Sequence, residues 1–543
     1  MLKSRFFLYI FFIAITLTGC AKRGGITGGA KDTIPPILVG SSPRNMSTEF
    51  KGREIRIDFN EYIKVKDINK QMIISPPMKY QPEIIPMGSA SRFISIKIKD
   101  TLQENTTYSF NFGQSITDNN EGNPYSQFKF IFSTGTYIDS LSLKGGIKDA
   151  YSREADNFVT VMLYEANETF NDSTIYKERP RYVTNTLDSM VNFSLENLKE
   201  GRYHLIALKD KNNNYKFDPK ADKIAFLNET VSVPDSVVAG YQLELFQETP
   251  AFKAVRPSQA SSNRLYAGYE GDPKDMRVKV RNGAGIDDIA SVITKFQGKD
   301  SLNVWLPRGI VADSLKVQVS HRDSIKDFNV KFKEMKAADS LKVEAVQKGG
   351  IHFREKFMLK PSTPLVAVDT TRIRLTNKDS VQVPYTYVYN DFLQELEFDF
   401  TKEESQKYTF MFLPGAMTDF YNTPSDSLKY SLSTRTYSEY GNMRVRLEGV
   451  NRFPLILELT NAKGEVKETY YSEGETQINF DAILPDKYHL RVIYDDNKNR
   501  EWDTGSYRDK RQPEEVIWFT NGRDDLIDVR QNWDVEQSFN LGG

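Results

Sequence analysis

Thr107-Tyr108-Ser109-Phe110-Asn111-Phe112 returns 300 positions later as Lys407-Tyr408-Thr409-Phe410-Met411-Phe412. Aromatic and polar side chains alternate in both copies, the period of a strand with one face in a core and the other toward water. The match extends downstream. Thr117-Asp118 aligns with Thr418-Asp419, and Ser133-Thr134-Gly135-Thr136-Tyr137 aligns with Ser433-Thr434-Arg435-Thr436-Tyr437. A second block follows at an offset of 285. Tyr203-His204-Leu205 aligns with Tyr488-His489-Leu490, and the run from Asp210 to Asp218 aligns with that from Asp495 to Asp503. A change of offset between ordered blocks means two modules, both duplicated, with a variable join.

The modules read as β throughout. Ile55-Arg56-Ile57-Asp58-Phe59, Phe93 to Ile98 and Phe128 to Phe132 alternate apolar and polar, and turns carry Pro, Gly and Asn, as at Asp118 to Asn123. Short strands divided by turn signals mean sandwiches rather than βαβ units. The expected fold class is all-β: tandem β-sandwich domains in a duplicated arrangement. The expected divisions are 1–19 signal peptide, 20–34 tether, then sandwiches at 35–137, 138–248, 249–350, 351–437 and 438–543. The central one, 249–350, has no partner copy. No helix longer than a turn or two is expected.

Two resemblances refine this. Residues 35–137 resemble the bacterial Ig-like domain, on Pro35-Pro36, the IRIDFNE strand, the Thr-Tyr-Ser-Phe strand, the Asp…Gly-Asn loop and the closing Phe-Ser-Thr-Gly. Residues 351–437 look like a diverged copy, without the diproline and with Arg435 in place of Gly135. Residues 138–248 and 438–543 resemble the transthyretin-like, carboxypeptidase-regulatory-like β-sandwich, on the Phe…Leu…Gly-x-Tyr pattern.

Composition narrows the function classes. The 543 residues carry net charge −1, 27% charged and 39% hydrophobic residues. That suits folded domains, roughly 100–200 residues each, and argues against a basic nucleic-acid binder. One cysteine and four histidines leave no internal disulfide and no His/Cys zinc cluster. The cysteine stands where chemistry is expected. Lys3 and Arg5 precede an apolar run from Phe6 to Leu17, and Leu17-Thr18-Gly19-Cys20 resembles the bacterial lipobox. That resemblance implies acylation of Cys20 and a mature chain held to the membrane by its acyl chains. Lys22-Arg23 follows, without the acidic run of exported Bacteroidetes surface lipoproteins, so a periplasm-facing outer-membrane position is expected.

The polar constellations are few. Asp210, Asn212, Asn214 and Asp218 place oxygens at alternating positions, as do Asp495, Asn497, Asn499 and Asp503. Two readings stand: the first part of a calcium loop, lacking the glycine and glutamate of an EF-hand, or a turn in which Asp and Asn bond their own backbone. His204 and His489 sit mid-strand and read as structural. Glu403-Glu404 and Glu514-Glu515 read as solvated. No nucleophile elbow or phosphate loop occurs, and the chain is read as no enzyme. Trp305, Trp502 and Trp518 are aromatics that a sugar could stack on, or core residues.

Asp, then Ser or Thr, then Ala, Ile, Leu, Met, Thr or Val recurs at thirteen places, where ordinary composition gives about two. The pattern is similar to the O-glycosylation motif of exported Bacteroidetes proteins. It implies acceptors such as Thr33, Ser140, Ser301, Ser314, Ser340 and Ser427. The competing reading is an Asp-Ser turn before a strand. The functional expectation is a lipid-anchored string of sandwiches that scaffolds or binds an outer-membrane protein complex. The alternative is a carbohydrate-binding lipoprotein serving glycan uptake.

Overall fold

The computed structural model describes residues 32–187, 190–234, 240–283, 287–336, 339–522 and 525–542. The chain is a tandem array of β-sandwiches, Ig-like at its start. Helix is confined, among the described residues, to the single turns Ile68–Gln71 and Thr174–Lys177 and two short 3-10 turns. No helix of the described residues is long and apolar enough to cross a membrane.

The first domain is organised by the strand Glu54–Val65, whose Ile55, Ile57, Phe59, Ile63 and Val65 point into the core. Its register shifts between Asp58 and Ile63, so its first half pairs with Ser91–Lys97 and its second half with Ile116–Asp118. The facing sheet is Ile73–Ser75, Thr107–Asn111 and Lys129–Ser133. Tyr108, Phe110, Phe112, Phe130 and Phe132 fill the space between. Burying an aromatic or aliphatic side chain of this kind contributes roughly 1.5–3 kcal/mol. The alternation in the opening hexapeptide is thus the packing rule of one sheet face.

The fourth domain repeats this order with one break. Phe357–Pro361 and Leu365–Val368 stand where the first copy has one continuous strand. Leu365–Val368 pairs with Met417–Asp419, as the second half of Glu54–Val65 pairs with Ile116–Asp118. The domain also begins earlier than expected. Val343–Ala345 pairs with Phe357–Pro361 and Gly349–Gly350 with Leu428–Ser433, so both belong here and not to a central domain ending at 350. Their short length and Gly content left no period to read.

The second and fifth domains share a topology strand for strand. Leu141–Asp149 lies between Asn192–Leu198 and the parallel Tyr241–Leu245. Gly441–Glu448 lies between Gln477–Ile483 and the parallel Asp534–Asn540. The opposing sheets are also equivalent, centred on Gly201–Lys209 and Asp486–Tyr494. Side chains repeat as well. The Tyr203 hydroxyl donates to the Lys199 carbonyl, and the Tyr488 hydroxyl to the Leu484 carbonyl. In the Ig-like pair, Tyr108 and Tyr408 accept the Gln103 and Glu403 N–H groups, and the Thr134 and Thr434 hydroxyls donate to the carbonyls of those same residues.

Candidate functional site

The duplicated domains two and five dock on each other, and Arg491 is the centre of the contact. Its strand, Asp486–Tyr494, is buried along its length after Lys487 apart from His489. The guanidinium Nε and Nη2 meet the Glu458 carboxylate at 2.7 and 2.6 Å. Nη1 donates to the Tyr151 carbonyl at 3.1 Å and Nη2 to the Tyr151 hydroxyl at 2.5 Å. The Tyr151 ring stacks over the guanidinium at 3.9 Å, with Trp518 at 5.0 Å. Around this pair run Arg153–Asp525 (2.6 Å) and Lys510–Asp172 (2.7 Å).

The loop 495–515 reaches across. Tyr507 inserts among Tyr176, Phe226 and Phe246, and its N–H donates to the Glu248 carboxylate. Gln512 donates to the Phe226 carbonyl, and Thr504 to that of Gln247. Thr160–Glu165 is buried on both faces up to Tyr164: one side meets the main core of its domain, the other a second cluster of the same domain, with Ile175 and Phe217, which Tyr507 joins. Burial raises the Glu248 carboxyl above its ordinary range, while the Arg153 hydrogen bond holds Asp525 below its own.

This contact closes the chain on itself. Lys220–Glu270 joins the second domain to the third, Lys295 N–H to the Phe392 carbonyl joins third to fourth, and Arg354–Glu468 joins fourth to fifth. The string of domains thus folds back into a circuit. The sequence shows the duplicated loops but not that one of them covers the other domain.

The Asp/Asn loops are hydrogen-bonded turns. Asp210 accepts the Asn212 and Tyr215 N–H groups, and Asp222 those of Lys211 and Asp218. Asn214 accepts the Lys216 N–H, and Asp218 that of Lys220. In the second copy Asp495 accepts the Asn499 and Arg500 N–H groups. The amides of Asn497 and Asn499 both donate to Asp503 at 2.6 Å. Burial raises the Asp210 carboxyl against the pull of these N–H groups. No group of three or more His, Cys, Asp or Glu among the described residues is placed to hold a metal ion. Asp210, Asn214, Asp218 and Asp495 thus accept backbone N–H groups, and Asp503 accepts two side-chain amides.

Glu514 corrects an expectation. It is buried, and its two oxygens accept the Asp496 and Asp503 N–H groups, the role Asp222 plays in the first copy. Glutamate pairs in a sequence read as solvated, and only the long loop folding back reveals this one. Of the two readings open for Trp305, the structure takes the core one. Trp305 is 0% exposed, and its Nε1 donates to the Thr294 hydroxyl, so it offers no face to a sugar. Trp502 packs against Tyr151 with its ring tilted and donates to the Glu514 carbonyl, and half-buried Trp518 flanks Arg491. Both Trp502 and Trp518 belong to the clasp. His204 stacks on Phe170 at 3.9 Å, and His489 bonds the Asp525 carbonyl.

The hydroxyls expected as glycan acceptors fall in two groups. Thr33, Ser140, Ser340 and Ser427 are exposed. Ser301 and Ser314 are half-buried and begin strands, opposite Gly268 and Lys331. Cys20 lies outside the described residues.

With this geometry in view, the comparisons concern the first domain. Residues 32–134 match the bacterial Ig-like domain family. The bacterial Ig-like assignment therefore holds for that domain. No curated protein matches the chain. Among solved structures it is similar to domains 1–6 of the surface layer protein SbsC, at 10% identity over 91% of this chain and 68% of that one, TM-score 0.16. It is also similar to a titin fragment, at 14% identity over 45% of this chain and 92% of that one, TM-score 0.15. The BSP domain of a biofilm associated protein overlaps 76% of this chain and 99% of that one, at 8% identity and TM-score 0.16. Scores this low carry no argument about this chain.

Proposed function

We propose that this is a lipid-anchored envelope protein, acylated at Cys20, that works by binding and scaffolding rather than turnover. It serves as an accessory subunit or partner of an outer-membrane protein complex and faces the periplasm. The observation carrying this reading is the Arg491 clasp. It ties distant domains into one body, the kind of fixed frame on which loops make binding contacts. The second and fifth domains are read as transthyretin-like, on their shared topology and tyrosine bonds. Exposed Thr33, Ser140, Ser340 and Ser427 are the favoured O-glycan acceptors.

The test is a mild-detergent pull-down of the tagged full chain from its native envelope, read by mass spectrometry. One stoichiometric membrane protein, an acylated Cys20 and hexose-bearing peptides are expected. Recovery as an unmodified cytoplasmic protein would sink the proposal. Retention on a glycan array without any protein partner would favour the carbohydrate-binding alternative.

A further inference from the structure

The central domain is charged unlike the rest of the chain. Residues 249–336 hold 16 Lys and Arg against 10 Asp and Glu, within a protein of net charge −1. The excess has a definite place. One of the domain's sheets orders Asp288–Ile289, Met276–Arg281, Ser314–His321 and Ser324–Lys331 side by side. Val278, Val280, Leu315, Val317 and Val319 point inward to its core. The alternate positions point outward, and register sets Arg277 beside Ser320, Lys279 beside Gln318, Arg281 beside Lys316, and Ser314 beside Lys331.

Arg281 pairs with Asp288, and Asp327 accepts from Gln318. Arg277, Lys279, Lys316 and Lys331 make no ion pair or side-chain hydrogen bond among the described residues. Arg277, Lys279 and Lys331 are exposed and Lys316 is half-exposed. Two exposed apolar residues lie at the ends of this sheet. Ile325, opposite Ser320, is 66% exposed. Val311 is 98% exposed and lies two residues before Asp313, whose carbonyl accepts the Phe332 N–H at the Lys331 end of the sheet.

We infer that this sheet face docks on an anionic lipid surface. Neighbouring strands lie about 4.8 Å apart, so the unpaired cations form a flat grid rather than a groove. A grid of separate positive charges complements a plane of negative headgroups. The outward residues include no aromatic platform of the kind that stacks bases. Exposed aliphatic residues at the ends of the sheet suit insertion at the headgroup boundary. This contact is independent of Cys20 and of the binding role proposed above, since it uses only the folded central domain.

The test is co-sedimentation of residues 21–543, which retain all five domains and lack the acylation site, with two kinds of vesicle. One is phosphatidylcholine alone, the other includes about a third phosphatidylglycerol. The chain is expected to sediment with the anionic vesicles only, and to be released by high salt. Each cation near an anionic leaflet strengthens binding about fivefold, so R277Q/K279Q/K316Q/K331Q lowers the partition coefficient by about two to three orders of magnitude. Should that variant fail to fold, the pair R277Q/K331Q reads the same effect at about 25-fold. The control K378Q/K407Q in the fourth domain is expected to bind as the parent does. Failure of the parent chain to bind anionic vesicles overturns the inference. So does equal binding by a folded variant, or capture of an acidic protein by this face without vesicle binding.

Discussion

Replacing Arg491 by methionine is expected to open the clasp between the second and fifth domains. In the closed state Arg491 is 2% exposed and its partner Glu458 is largely buried beside it. Methionine fills much of the volume but leaves the Glu458 carboxylate without a partner. Breaking a buried pair from one side costs about 3–5 kcal/mol. Loss of the stack on Tyr151 adds about 0.5–2 kcal/mol. Opening lets water reach Glu458 and relieves most of that cost, so the penalty falls on the closed state. Closure should weaken by about 100- to 1000-fold or more.

The Tyr507 amide reports closure directly, because it donates across the clasp to Glu248. Its hydrogen exchange, followed by mass spectrometry of peptides within 495–515, should accelerate by that factor. The double variant Arg491→Met with Glu458→Met removes the stranded charge and should recover more than half of the loss. Exchange at Tyr507 within tenfold of the parent in R491M would refute the reasoning. A double variant no better than the single one would refute it too, since the stranded carboxylate would then not be the cause.

Other outcomes follow from the same contacts. Burial raises Glu248 above its ordinary 4.5 when the clasp is closed, so closing takes up a proton. Acidification from pH 7 toward 4.5 should therefore favour closure, until protonation of Asp525 below its ordinary 3.8 removes the Arg153 bridge; Tyr507 exchange against pH checks the sign. Asp495→Ala strips the acceptor from two N–H groups at a fully buried position and should cost about 1–3 kcal/mol in urea unfolding, with Asp495→Asn costing less. Trp305→Ala should destabilise the central domain by about 3–5 kcal/mol, so any accompanying loss of glycan binding would report unfolding.

Period and repetition fixed much of this molecule before folding. The alternation of Tyr108, Phe110 and Phe112, and its return at Tyr408, Phe410 and Phe412, is enough to place two sheet faces, because a strand exposes every second residue to one side. The same logic found the paired Tyr203 and Tyr488 strands and the Asp/Asn loops, whose side chains act on their own near backbone. Local chemistry leaves a local signature.

What folding alone decided lies between segments far apart in the chain. Arg491 and Tyr151 are separated by 340 positions, and nothing near either one marks the other as its partner. Nothing near Thr160–Glu165 marks Tyr507, far along the chain, as a member of the cluster over its second face. Glu514 looks like a surface residue until the loop that buries it is in place. Strand periodicity records which residues share a face. Which other body that face meets depends on how five sandwiches pack, and that is set by tertiary contacts with no period to read.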